Sequence, residues 1–514
     1  MQTAALKKRT LNPWIIAAVV MFPTAIEILD STVANVALPY ISGGLAVSIN
    51  QSTWILTAYI VSNAIMLPIT YWFSDKIGRK NFLLASIVVF TFASIMCGFS
   101  TSLGEMIFYR ILQGFGGGGL TPLSQSILLD VFPKEKHGQA MGFFGFGILV
   151  APIIGPYLGG WLSDNYSWHW IFFINVPIGI IAFALIKYII PNKFNNNKKK
   201  SIHLDYIGLS LLILFLTPLQ IMLDKGQQSD WFGSNFIVFL FVIMLIAFIT
   251  LIFWLIKSKD PIISLKIFKN KNYSLAVIIF FIRGFVFYAF GVIYPLFMEN
   301  ISGYTATISG EVNMISGIAV MIMMPITGWL TSKYNPKAIA LSGVFLSCFA
   351  CFYITGFNAQ VNFNTFVFYR ALFGVGSALM FIPLNTLAFS SITKEFMTKC
   401  TGMSNLARSI GGSIGISVVT TLSIRRSQLH QNILVDNTNI LNHQFIHTLN
   451  TIQTQLHVGT QEAYQIIYNT VLKESLLMSY LDVFQLMLIL LLITVPFILL
   501  MIYKKKKVSL KVSH

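Results

Sequence analysis

Fourteen runs of about 20 mostly apolar residues follow one another along the chain, which no water-soluble fold can accommodate. They lie at 14–38, 51–71, 82–100, 105–129, 139–163, 168–190, 204–223, 234–256, 273–297, 306–331, 337–357, 364–390, 402–424 and 480–503. An α-helix rises about 1.5 Å per residue, so each run is long enough to cross a hydrocarbon layer about 30 Å thick. Only 10% of residues are charged, against about 25% in a soluble domain. The chain lacks the polar surface to cover itself in water and is read as an all-α polytopic membrane protein. The basic N-terminal segment Lys7-Lys8-Arg9 and the run after it imitate a signal peptide. That run is too long for one and carries Glu27 and Asp30, so it reads as an uncleaved first span.

The net charge of +17 is a topology signal. With an even number of spans both termini share a side. If that side is the cytoplasm, its segments hold 27 of the 35 Lys and Arg residues, and only Lys225, Arg425, Arg426 and Lys473 face outward. The placement accounts for the basic composition without any nucleic-acid partner. Four arginines, Arg110, Arg283, Arg370 and Arg408, fall inside spans. A charge at that depth is costly and marks a functional site by default.

Two segments occur twice. Ile107–Leu120 (I-F-Y-R-I-L-Q-G-F-G-G-G-G-L) is echoed by Phe368–Leu379 (F-Y-R-A-L-F-G-V-G-S-A-L), which sets Arg370 against Arg110. Ile69–Lys80 (I-T-Y-W-F-S-D-K-I-G-R-K) is echoed by Ile326–Lys337 (I-T-G-W-L-T-S-K-Y-N-P-K). Spans 1–6 therefore match spans 9–14. Residues 1–191 are read as one six-helix half, 192–271 as an inserted pair (spans 7 and 8) with its linkers, and 272–514 as the second half. Two parallel six-helix repeats are the architecture of the major facilitator fold, in which the substrate site lies between the halves. The second half includes a polar outside loop from Arg425 to Ser479, rich in Asn, Gln and Thr, with weak helical periodicity at Gln444–Gln455 and Gln461–Leu472.

Several residues carry a mechanism. Glu27 and Asp30, at i and i+3, share a face of span 1 about 4.5 Å apart along the axis. Two neighbouring acids in a low-dielectric setting suit a proton carrier, and a structural ion pair to a neighbouring helix is the other reading. Arg110 is the counter-charge in the first case, giving a two-state switch. In the loop Asp75-Lys76-Ile77-Gly78-Arg79-Lys80, Gly78 allows a tight turn and Asp75 is an acid among bases. The second copy has Ser332 in place of Asp75, so the halves are not equivalent there. Pro152 and Pro156 interrupt the hydrogen bonding of span 5 and bend it. Gly155, Gly159 and Gly160 let another helix approach closely, which places span 5 on the surface where the halves meet. Asn35, Gln113 and Arg370 are candidates to line the central cavity, although Arg370 lacks the surroundings of Arg110 and is read as structural.

These motifs together resemble the fourteen-span drug–proton antiporters of the major facilitator superfamily, and most of all the EmrB-type permeases. The resemblance rests on Asp30–Pro39 (D-S-T-V-A-N-V-A-L-P), Asp75–Lys80, Arg110-x-x-Gln-Gly114 and Gly155-Pro-x-x-Gly-Gly160. It continues through Ser163–Gly179, Leu219–Gly226, Asp230–Phe232 and Ser404–Ser417. It implies proton-driven export of hydrophobic or amphipathic compounds by alternating access. Asp30 and Arg110 would belong to proton coupling, Asp75–Lys80 to a cytoplasmic gate, and Gly155–Gly160 to the antiporter motif. It further implies a bacterial inner membrane, a periplasmic adaptor that docks on the loop Arg425 to Ser479, and an outer-membrane channel. Two positions depart from the pattern. Tyr71 stands where the gating motif opens with glycine, removing the small residue on which tight packing rests. Glu27 is an additional acid, one that alters stoichiometry or favours cationic substrates.

Other functions fit less well. No G-x-x-x-x-G-K-[ST] loop is present, so the proton gradient rather than a nucleotide or cofactor is the energy source. A polytopic enzyme would need an acid–base pair or metal cluster at a membrane surface. Cys348-x-x-Cys351 has no second pair, and His443 and His447 have no acidic or cysteine partner, so no metal is assigned. Uptake of a small nutrient by a symporter or facilitator is the nearest alternative, and the glycine–proline pattern of span 5 argues against it.

Overall fold

The computed structural model describes residues 12–195, 205–258, 261–436, 438 and 442–503. It is helical throughout the membrane-crossing region, with α1 Pro13–Gly44, α2 Ile49–Ile77, α3 Arg79–Phe99, α4 Leu103–Gly117, α5 Leu120–Val131, α6 His137–Asn165, α7 Trp170–Phe173, α8 Asn175–Ile189, α9 Tyr206–Lys225, α10 Asn235–Lys257, α11 Lys271–Asn300, α12 Ala306–Lys333, α13 Pro336–Ile354, α14 Phe363–Phe389, α15 Met397–Asp436, α16 His443–Leu456 and α17 Thr460–Leu500. Polar caps start many of them: Ser102, Asn270, Thr305 and Asn362 each accept from a backbone N–H two or three residues inside the helix.

Among the described residues 13 helices are long and apolar enough to cross a membrane. The fourth expected span is a composite. It breaks at Gly118-Gly119 into α4 (15 residues) and α5 (12 residues), each too short alone. The glycine run that causes the break also brings backbones together. A methyl group at Gly118 would lie 2.6 Å from the Asn63 carbonyl oxygen of α2, and one at Gly116 would lie 2.6 Å from the Phe90 amide nitrogen of α3. Only glycine permits that approach.

The two halves repeat one packing plan. α1 packs on α6 as α11 packs on α15, α2 on α4 as α12 on α14, and α3 on α8 as α13 on α17. Two seams join the halves, α6 against α12 and α2 against α15. They match at one pair of glycines. A methyl at Gly142 would sit 2.8 Å from the Met324 carbonyl oxygen, and one at Gly402 would sit 2.7 Å from that of Leu67. α9 and α10 pack together, and α9 leans on α2 and α15.

The segment expected as an outside loop, Arg425 to Ser479, is largely helical, which corrects that reading. α15 runs 40 residues to Asp436 and α17 runs 41 residues from Thr460, well past the apolar runs at 402–424 and 480–503. Arg425 therefore lies inside α15 and Ser479 inside α17, so neither end of the expected loop is a loop residue. Ser479 is fully buried, and its hydroxyl donates to the Leu476 carbonyl (2.7 Å) one turn back along α17. It belongs to the packed bundle and is removed from the candidate docking surface. α15 and α17 pack together as a hairpin on the end opposite Asp75–Lys80, with α16 against α17. At its base Asp482 pairs with His430 (2.9 Å) and Arg426 (3.6 Å). The polar linker expected at 192–201 falls mostly outside the described residues, as do the N-terminal and C-terminal basic clusters.

Candidate functional site

Span 1 presents its two acids to different surroundings. Asp30 is 2% exposed and Arg110 fully buried, and they form an ion pair of 2.7 Å. A buried charge in this setting is tolerated only when paired and hydrogen-bonded. Gln113 Nε2 and Asn175 Nδ2 donate to the other Asp30 oxygen at 2.8 and 2.7 Å. Gln113 Oε1 accepts from Arg110 (2.7 Å), and Ser94 Oγ accepts from Gln113 (2.6 Å). Arg110 Nε donates to the Ile55 carbonyl (3.3 Å), Nη2 has no acceptor, and the guanidinium lies 4.5 Å from the Tyr59 ring centre and 5.6 Å from that of Phe172. Every neighbour of the Asp30 carboxylate is a donor. Protonating it would set an O–H against those donors and release Arg110 towards the two rings.

Glu27 turns instead to a cavity of about 380 Å³ between the halves. Its Oε2 accepts from the Thr121 hydroxyl (2.7 Å) and amide (3.2 Å), and its Oε1 from Asn63 (3.0 Å). From the second half Arg283 on α11 and Arg408 on α15 enter the same cavity. Pro152 of α6 also lines it. The three residues expected to line the cavity do not. Asn35 is exposed one turn beyond the cavity-lining Ser31 on α1, and donates to the Ser31 carbonyl (2.7 Å). Gln113 is committed to the Asp30 network. Arg370 stays within its own half, with Nε on Asn313 Oδ1 (2.9 Å) and its guanidinium 5.1 Å from the Phe290 ring centre.

Where α2 meets α3, the Asp75–Lys80 segment joins a set of contacts between the halves. Gly78 has φ +92°, the left-handed geometry that favours glycine. Lys76 lies over Trp72 (4.6 Å), and Lys80 is buried, donating to the Lys187 carbonyl (2.8 Å) and Asn192 (2.9 Å). Asp75 is partly buried on the last turn of α2. Arg79 pairs with Asp130 (3.1 Å), and Lys394 of the second half reaches the same carboxylate at 2.6 Å. Lys134 returns the contact to the Ser390 carbonyl (2.7 Å). At Tyr71, Lys399 Nζ stands 3.9 Å from the ring centre, a cation–π contact where the α6–α12 seam has Gly328 against Gly138.

The glycines of span 5 do another job than expected. Gly155 abuts Thr32 and Gly159 abuts Val33, both on α1, so they bind span 5 to its own half. Gly160 has no neighbour within 4 Å of an added methyl. Gly138 and Gly142 on the same helix make the seam to the other half. Sequence reasoning also passed over Asp130, a lone acid closing the apolar run of span 4, and Asn175, whose amide points at Asp30. Arg408 was visible as an intramembrane charge but had no assigned role.

Residues 20–416 match the family model described as Major Facilitator Superfamily. The chain is 36% identical over 421 residues, 82% of each protein, to the multidrug export protein EmrB of Escherichia coli strain K12. It is 33% identical over 475 residues, 92% of each protein, to the probable multidrug resistance protein EmrY of the same strain. The solved structure of the proton:xylose symporter XylE bound to 6-bromo-6-deoxy-D-glucose aligns with 90% of this chain and 94% of its own, with TM-score 0.58 at 14% identity. That last likeness is one of fold alone.

Proposed function

The chain belongs to the major facilitator superfamily as an EmrB-type multi-pass membrane permease, and from that premise we propose that it exports hydrophobic and amphipathic compounds in exchange for protons by alternating access. The observation that carries the reading is the dry Asp30–Arg110 pair (2.7 Å), one helical turn from a cavity between two halves. A group that binds a proton must change its contacts when it does so, and Asp30 has donors on both oxygens that protonation disrupts. Loss of the pair cuts the side-chain link from α1 to Arg110 on α4, and α1 also packs on α6, which forms the seam with α12. The proton is thereby linked to the contact between the halves. The proton gradient is the energy source, and no cofactor takes part.

The basic end faces the cytoplasm in this reading, with both termini there, in a bacterial inner membrane. The hairpin of α15, α16 and α17 then projects to the far side. Its exposed part is the proposed docking surface for a periplasmic adaptor that hands substrate to an outer-membrane channel. Efflux of a fluorescent amphipathic dye from cells, with and without a protonophore, tests the central claim. Efflux that stops with the protonophore supports it, and efflux that continues unchanged in energised cells overturns it. Replacing α16 by a short flexible linker should abolish co-purification of the adaptor and spare dye transport in everted vesicles.

A further inference from the structure

Arg283 and Arg408 enter the central cavity from adjacent helices with no acid at ion-pair distance. α11 and α15 touch where Gly284 faces the Arg408 carbonyl, so the two arginines start from neighbouring backbone and their charges act on each other. Among the described residues neither forms an ion pair. Arg283 donates through Nη2 to the Ser377 hydroxyl (3.0 Å), and its buried Nε has no acceptor. Its guanidinium lies 4.7 Å from the Phe381 ring centre. The one acid among the described residues lining the cavity, Glu27, forms no ion pair with either arginine and accepts from Asn63 and Thr121 of its own half. Much of the remaining wall is apolar, including Ile148, Leu149, Phe287, Val320 and Met324.

Two guanidinium groups that share a low-dielectric cavity repel each other, and Ser377 serves only one nitrogen of Arg283 and leaves its Nε without an acceptor. A carboxylate supplies both missing elements, since guanidinium and carboxylate match as paired donors and acceptors. We propose that this cavity binds amphipathic anions, with the carboxylate or sulfonate of the ligand held by Arg283 and Arg408 and its apolar body against Phe287, Val320 and Met324. This rests on reading the cavity as the substrate site of the exporter. It reverses the preference that Glu27 alone implied: a cationic ligand meets two like charges and a carboxylate already engaged.

Equilibrium binding to the full-length protein in phosphatidylcholine nanodiscs, at about pH 8 where a carboxylate is ionised, tests it with three ligands of equal chain length. Dodecanoate, dodecyltrimethylammonium and dodecanol separate charge from apolar partition. Dodecanoate should bind about tenfold more tightly than the ammonium, and Arg283→Gln and Arg408→Gln should each weaken it about tenfold while leaving dodecanol unchanged. Ser409→Glu keeps both arginines and sets an acid beside them, so it should weaken dodecanoate and strengthen the ammonium. Tighter binding of the ammonium to the native protein overturns the proposal. So does dodecanoate affinity within about twofold of native in Ser409→Glu. The assay uses no gradient. If efflux ignores a protonophore while these affinities hold, export falls and the anion site stands. If efflux is coupled and the variants bind normally, the site falls alone.

Discussion

Gln125 and Asn385 are 260 positions apart in the chain and 3.0 Å apart in the fold. That separation equals the offset between Arg110 and Arg370, so the bond joins symmetry-related positions of α5 and α14. Among the described residues, the other hydrogen bonds between the halves gather at the same end: Asn405 to Gln125 (3.1 Å), Ser126 with Thr398 (2.8 Å), Thr401 to the Pro122 carbonyl (3.1 Å), Lys134 to the Ser390 carbonyl (2.7 Å) and Lys394 to the Asp130 carbonyl (3.1 Å). The molecule is therefore shut at its basic end. Alternating access requires these bonds to break together.

Fixing Gln125 to Asn385 should arrest the cycle. In a background lacking Cys97, Cys348, Cys351 and Cys400, the pair Gln125→Cys with Asn385→Cys can be joined by a short bifunctional thiosulfonate. Dye efflux in everted vesicles should stop on treatment and return with reductant. Full efflux in the cross-linked protein would show that this contact persists through transport.

Asp130 holds Arg79 of its own half and Lys394 of the other. Its side chain is 10% exposed, that of Arg79 is 20% and that of Lys394 is 74%. The Lys394 contact is wet and worth only a few tenths of a kcal/mol, and the sheltered Arg79 contact contributes more, about 1 kcal/mol. Arg79 lies in the same half as Asp130 and keeps its contact when the halves part, so only the Lys394 contact opposes opening, and Asp130→Asn should favour the state open at the basic end about twofold. Reaction of a reporter Ser126→Cys with a maleimide would rise by that factor. The gain should shrink at high salt in the native background, where screening has already weakened the Lys394 contact.

Asp30→Asn keeps an acceptor for Arg110 but cannot bind or release a proton. Dye should still bind, and substrate-driven proton release in everted vesicles should disappear. Arg110→Ala is harsher, because it leaves Asp30 buried without its counter-charge at a cost of about 3–5 kcal/mol. That variant should lose thermal stability as well as transport. Retention of full proton-coupled efflux by Asp30→Asn would remove this acid from the coupling step.

Much of this was legible in the chain. The spans could be counted because a helix in lipid must be apolar over its crossing length, and Arg110 demanded a partner because a charge there must be paired. The hairpin was hidden for the converse reason. α15 and α17 continue beyond the bilayer, where hydropathy falls while the backbone does not change, so Arg425 and Ser479 read as loop ends although both are helical. The cavity was hidden because its charged residues, Glu27, Arg283 and Arg408, come from α1, α11 and α15. The repeat carried a position without its chemistry. Arg370 copies Arg110, yet among the described residues it forms no ion pair, and it settles on Asn313.

The glycine seams give a final test, and symmetry makes it a double one. A methyl at Gly142 would lie 2.8 Å from the Met324 carbonyl oxygen, and one at Gly402 would lie 2.7 Å from that of Leu67. Both obstacles are backbone and cannot swing aside. Overpacking of this kind costs about 1–3 kcal/mol, and here the cost falls only on the state in which the halves touch. Gly142→Ala and Gly402→Ala should each favour opening of the basic end, read again as faster labelling of Ser126→Cys. Gly160→Ala, where an added methyl meets nothing within 4 Å, should label at the native rate. If Gly142→Ala and Gly402→Ala also label at the native rate, the two seams do not set the closed state.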